Sequence, residues 1–196
     1  MQSADVQMKS GSVGRAIPTL VVVAICAAMH FFLVPTPSIA QDSPQALAQQ
    51  VKAAYLFKFG GYVEWPSSAF AEPASPLLIG VYGDDQLARE VTRVVLNRTV
   101  NGRSVVVQSL RVNDAIPKVH ILFVTGSLLS RLPELGAAAH SALIVTDSEK
   151  ALDQGSVINF VTADNRVRFE VSLDAAKRSG LKIGAPLLSV AMRVQG

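Results

Sequence analysis

The side chains with which this chain could do chemistry are few, and their spacing does not suit it. His120 and His140 are the only histidines beyond residue 40, and neither belongs to an H-x-x-x-H or H-E-x-x-H arrangement, so no metal pair is offered. Ser127 follows Gly126 as in a nucleophile elbow, but "TGSLL" lacks the second glycine of G-x-S-x-G, and a helix N-cap accounts for the serine. Gly80 and Gly83 in "IGVYGDD" stand where a phosphate-binding turn would, yet they match neither phosphate motif. Asp84 and Asp85 would put negative charge where the phosphate should rest, so this is read as a tight turn and a helix cap. Asp84 with Asp85, and Asp147 with Glu149, are acidic pairs at element ends and read as caps. Asn97 in "NRT" fits a glycosylation sequon, which matters only in a host that glycosylates. No nucleophile, base or metal set can be assembled, so the expectation is a protein that is not an enzyme and carries no cofactor.

A recognition chemistry is better supported. In "INFVTADNRVRFEVSLDAAKRSGLKI", residues 158–183, two alternating runs flank Asp164 and Asn165, both of which tolerate the positive φ of a type I′ turn. The register follows by counting. Phe160 faces Phe169, Ile158 faces Val171 and Thr162 faces Val167 on one side, while Asn159 faces Glu170 and Val161 faces Arg168 on the other. Asn159, Arg168 and Glu170 are then the candidate ligand- or partner-binding residues, with Arg168 close enough to Glu170 for an ion pair. Two readings stay open: a solvated sheet face with a weak surface pair, or a surface where a guanidinium and a carboxylate hold an anionic or zwitterionic group.

These residues need a scaffold, and the rest of the chain supplies its pieces. Ser43 or Asp42 can cap a helix with Pro44 in its first turn and Leu47, Val51, Tyr55, Phe59 and Tyr62 as its stripe, ending near Gly60 and Gly61 or running weakly to Trp65. Phe57 lies away from that stripe and Trp65 is the only tryptophan. Both are candidate interface aromatics, unless the helix is sandwiched and buries both faces. A buried strand from Pro76, a helix from Asp85 to Leu96, a turn at Asn101 and Gly102, and a strand from Ser104 to Ser109 follow. Next come a strand from Val119, a helix from Ser127 to Ala139, the strand in "SALIVTDSE", the hairpin, and a final helical segment from Ala185 to Met192. The alternation implies one α/β domain: a mixed central sheet flanked by helices on both faces, with a C-terminal antiparallel hairpin.

Residues 1–40 read differently. Lys9 and Arg15 precede an almost wholly apolar run from Ile17 to Val34, and Ser38 and Ala40 occupy the small positions of a signal-peptidase site. The expectation is a signal peptide cleaved after Ala40 and an exported domain over 41–196, with an uncleaved N-terminal anchor as the rival. Without Lys9, Arg15 and Asp5 the remainder holds 16 basic and 14 acidic residues, with no concentrated basic stripe, which argues against nucleic acid as a partner. Cys26 is the only cysteine, so the domain has no disulfide framework.

Three segments resemble a known family. "KAAYLFKFGGYVEWP", Lys52 to Pro66, is similar to the opening helix of YfiR-like exported proteins. "HILFV", His120 to Val124, looks like their central strand, and residues 158–191 resemble their C-terminal signature. The resemblance implies a homodimeric periplasmic repressor. It would bind the periplasmic PAS-type sensor region of a membrane-bound diguanylate cyclase, lower cyclic-di-GMP and hold back biofilm formation without catalysis. A small-ligand-binding accessory of a sensor kinase or outer-membrane receptor is the alternative. Redox-responsive members carry cysteines in the domain; this chain has none there, so a signal would act through a small-molecule ligand, partner competition or sequestration.

Overall fold

The computed structural model describes residues 43–139 and 141–196. The signal segment, its cleavage point after Ala40, the Asp42 cap and His140 lie outside the described residues.

The first helix, α1 (Pro44–Tyr62), starts as expected: the Ser43 hydroxyl accepts from the Ala46 amide at 3.1 Å, and Pro44 sits in the first turn. Its buried side differs from the expected stripe. Gln49, Ala53, Leu56, Phe59 and Gly60 face inward, whereas Leu47 is 56% and Tyr62 43% exposed. The cause is close approach on small residues: a Cβ at Gly60 would stand 2.7 Å from Leu77 Cδ2, so the helix lies tight against the sheet where its side chains are smallest. The helix stops at Tyr62, because Val63 is already extended and β1 (Val63–Glu64) pairs antiparallel with β9 (Lys182–Ile183).

Among the described residues the main sheet has eight strands: β2 (Leu77–Tyr82), β3 (Thr99–Val100), β4 (Arg103–Leu110), β5 (Ile121–Val124), β6 (Leu143–Thr146), β7 (Ile158–Ala163), β8 (Arg166–Ser172) and β10 (Arg193–Gln195). Their order is β10-β8-β7-β6-β5-β2-β4-β3. The run from β4 to β7 is parallel, β3 and β8 are antiparallel to their neighbours, and β10 lies parallel to β8. The mixed α/β sheet with its antiparallel hairpin is therefore the architecture the alternation implied.

Period-two alternation sorts the strands into two apolar layers. Ile79, Val81, Ile121, Phe123, Val145, Ile158, Phe160 and Phe169 face α1 and α2 (Asp85–Val95), joined by α4 (Leu173–Arg178) and α5 (Ala185–Leu188). Tyr82, Leu122, Val124 and Ile144 face α3 (Leu132–Ala138) on the other side. Phe59 stacks on Phe160 at 5.8 Å and meets Phe169 edge-on at 5.3 Å, which fastens α1 to the hairpin.

Two expected helices are shortened. The Ser127–Ala139 segment begins as a 3-10 turn over Gly126–Arg131 and becomes α-helical only from Leu132, where Pro133 fits the first turn; Ser127 caps nothing. The segment from Ala185 is helical only to Leu188. The Met192 amide then donates to the Phe169 carbonyl at 2.8 Å and the chain continues as β10, with Val194 in register with Val171. Ladder pairing with β8 overrides the local helical signal there.

Candidate functional site

The hairpin has the register read from its pattern, pair by pair from Ile158↔Val171 to Ala163↔Arg166, and Asp164 and Asn165 take φ of 50° and 56°. Its polar residues, however, do three different jobs. Asn159 is 2% exposed, and its Oδ1 accepts from the Thr146 hydroxyl at 2.8 Å and from the Ser148 amide at 3.1 Å, so it pins the loop leaving β6. Glu170 does not pair with Arg168. β10 brings Arg193 into register beside it, and the two join at 2.9 and 3.1 Å, an attachment that raises the Arg193 pKa above its ordinary value. Arg168 is exposed and forms no ion pair among the described residues.

The aromatic candidates stand elsewhere. Phe57 is half-buried under the Arg98 guanidinium, 5.6 Å from its ring centre. Trp65 donates from Nε1 to the His120 carbonyl at 3.2 Å and packs edge-on against Phe70 and His120. His120 precedes β5, so Trp65 lies at the amino ends of the strands, while the hairpin overhangs the carboxyl ends. His120 is buried and stacked on Phe70 at 4.2 Å, and its Nδ1 accepts from the Leu78 amide at 3.0 Å. Burial pushes its pKa below 6.5; the Ala69 carbonyl partly opposes this, and Lys118 and Arg103 add to the lowering.

The carboxyl ends hold a polar cluster that the sequence reading did not assemble. β2 connects through α2 to β4 on one side, and β5 leads through α3 to β6 on the other. The direction of winding thus reverses between β2 and β5, which is where open α/β sheets accept ligands. Here the loops close on each other: a Cβ at Gly83 would meet Leu128 Cδ1 at 2.7 Å and Thr125 Cγ2 at 2.8 Å. The helix α1 reaches in as well. Gln49 Nε2 donates to Asp84 Oδ2 at 2.9 Å, and Lys52 Nζ to Asp147 Oδ2 at 2.6 Å, while Asp147 Oδ1 accepts from the Gly126 amide at 2.7 Å. Asp84 still caps α2 through the Leu87 amide, as expected, whereas Asp147 ties α1 to the loops after β5 and β6. The available signal was Gln49 and Lys52 on the same helical side as Leu56 and Phe59, two polar residues on an otherwise apolar stripe.

Open space lies one strand further along. A cavity of about 380 Å³ is bounded by Lys52, Asp147, Ser148, Phe160, Thr162 and Val167. A second, more apolar one of about 300 Å³ adjoins Leu47, Ala48, Val51, Arg166 and Val167. Val167 borders both, so the two cavities meet at its side chain, where α1 passes the hairpin. Among the described residues no cluster of three or more acidic or histidine side chains is placed to hold a metal ion.

A family model described as YfiR/HmsC-like matches residues 49–192, from the first third of α1 to the threshold of β10. Among solved structures, a conserved domain protein from Vibrio cholerae O1 biovar El Tor strain N16961 aligns with a TM-score of 0.45 at 10% identity. That alignment covers 60% of this chain and 54% of the other, so the chain spans about half the length of that protein. No curated protein matches in sequence.

Proposed function

The chain belongs to the YfiR/HmsC-like family, and on that premise we propose that it is a periplasmic, non-catalytic repressor of a membrane-bound diguanylate cyclase. It binds the periplasmic sensor region of that enzyme and so lowers cyclic-di-GMP. Regulation of cyclic-di-GMP signalling from the periplasm is the theme of the family, and the match over residues 49–192 is the observation that carries this reading. No helix among the described residues is long and apolar enough to cross a membrane, so on this reading the contact is made by a domain that meets the sensor outside the bilayer.

The mechanism is a population shift. A repressor that binds the inactive sensor conformation tenfold better than the active one moves the equilibrium by about 1.4 kcal/mol, with no chemistry of its own. Arg168 supports this reading, because it offers an exposed guanidinium with no ion pair among the described residues, on the hairpin strand paired with β7. The test is genetic: removing the gene should raise cellular cyclic-di-GMP, and re-supplying the Arg168→Glu form should restore repression less well than the wild type. Unchanged cyclic-di-GMP in the deletion strain would sink the proposal.

A further inference from the structure

We infer that the lane left where β6 stops and β7 runs on is a docking slot for an extended segment of a partner protein, which adds as a strand to the free side of β7. The last β6 pair is Thr146↔Asn159, yet β7 continues to Ala163, paired there among the described residues with β8 alone. In a hairpin with a two-residue turn, the flanking pair Ala163 and Arg166 exchange hydrogen bonds. By alternation Val161 also points to β8, and Thr162 aims its N–H and C=O into the lane. No hydrogen bond of the described residues reaches Thr162 from that side.

The lane is held open by construction. Asp147, bound to Lys52 and the Gly126 amide, and Ser148, bound to Asn159 Oδ1, draw the chain away from the line of β6 and leave the cavity of about 380 Å³ in its place. A second, more apolar cavity of about 300 Å³, lined by Leu47, Ala48 and Val51 of α1, shares Val167 with it. These walls can take alternate side chains of an added strand, while the N–H and C=O of Thr162 pair with its backbone.

The charges select the occupant. Lys52 and Asp147 neutralise each other, which leaves Glu149 beside the first cavity and Arg166 at the hairpin tip as charges with no ion pair among the described residues. The complementary segment has apolar alternate residues, a cationic end at Glu149 and an anionic end at Arg166. An extended polypeptide can pair with both the N–H and the C=O of Thr162 while its side chains reach the cavities on either hand. The slot rests on the repressor reading only for the identity of the partner.

The probe is the acetylated, amidated pentapeptide Lys-Val-Thr-Val-Glu, titrated calorimetrically into the purified protein, with a version N-methylated at the two valine amides and one at the central threonine amide. Saturable binding is expected, weakened at least tenfold by one methylation pattern and little by the other, because alternate amides face β7. Thr162→Pro, whose lost N–H faces the lane, should weaken it tenfold; Val51→Asp, which leaves the hairpin untouched, should do the same, with melting curves confirming both folds. No saturable binding, or equal binding by all three peptides, overturns the slot. Self-association that Thr162→Pro abolishes, without peptide binding, assigns the lane to a second copy and overturns the partner-segment proposal. Cyclic-di-GMP in the deletion strain bears only on the repressor reading, so the two can fail separately.

Discussion

Glu170 and Arg193 meet as a two-point ion pair, Nε to Oε1 at 2.9 Å and Nη2 to Oε2 at 3.1 Å, because β10 lies beside β8 with these residues in register. The planar guanidinium matches the carboxylate on both sides, so the contact fixes orientation as well as proximity. It also claims the carboxylate that Arg168 would otherwise have used.

Arg193→Met should therefore loosen β10 and little else. Amide exchange at Met192, whose N–H donates to Phe169, is expected to quicken at least tenfold, while Ile121 and Phe123 in the sheet centre keep their protection. Arg168→Met should leave both groups unchanged. Equal loosening by the two substitutions would show that the pair does not hold the strand.

Lys52 and Asp147 form a partly buried pair with each side chain about 17% exposed. Lys52→Met strands the carboxylate with the Gly126 amide as its remaining partner. The expected loss is about 1–2 kcal/mol, between the values of exposed and fully buried pairs. Adding Asp147→Asn should recover part of it. Urea denaturation of the two single variants and the double variant measures the coupling.

Gly60 and Gly61 are adjacent and should respond in opposite directions to alanine. At Gly61 a Cβ meets nothing within 4 Å, so Gly61→Ala gains helix propensity and should stabilise by up to about 1 kcal/mol. At Gly60 the new Cβ would meet the buried Leu77 at 2.7 Å, and overpacking of about 1–3 kcal/mol outweighs the same gain. Thermal melts that move the same way for both would refute the close-approach account of α1.

His120 gives the protein an acid-side slope. Its folded pKa is lowered, so the neutral ring belongs to the native state. Its contribution is complete above about 6.5. As the pH falls from there toward the lowered folded value, the unfolded chain binds a proton that the native state resists, and stability drops by at most about 1.4 kcal/mol per pH unit. His120→Asn, which keeps an acceptor for the Leu78 amide, should flatten the curve between pH 7 and 5 relative to the wild type.

How far the sequence could be read depended on whether the signal was local. The hairpin was legible in full, since two alternating runs around Asp164 and Asn165 admit one register that buries Phe160 and Phe169 together. The fate of its polar face was not. Glu170 is satisfied by Arg193, 23 residues on, and that contact requires a three-residue strand too short to leave a periodic trace. On α1 the large residues drew attention to Leu47 and Tyr62, while the true inner side was marked by Ala53 and Gly60, whose value lies in what they lack. Lys52 was visible as a polar residue on that side, but its partner Asp147 is 95 residues away and becomes a neighbour only when the sheet exists.

That separation bears on the order in which the chain can assemble. The first of the described helices rests on groups that follow it far along the chain: Phe59 meets Phe160 and Phe169 of the hairpin, and Lys52 meets Asp147. Loop-closure entropy must be met before these contacts return anything, so docking of α1 is expected late and slow, after the parallel strands have paired. Until the hairpin exists, the aromatic side of α1 is bare. Until then α1 is a segment able to bind a holdase chaperone, and it leaves the ribosome ahead of every strand it will eventually touch.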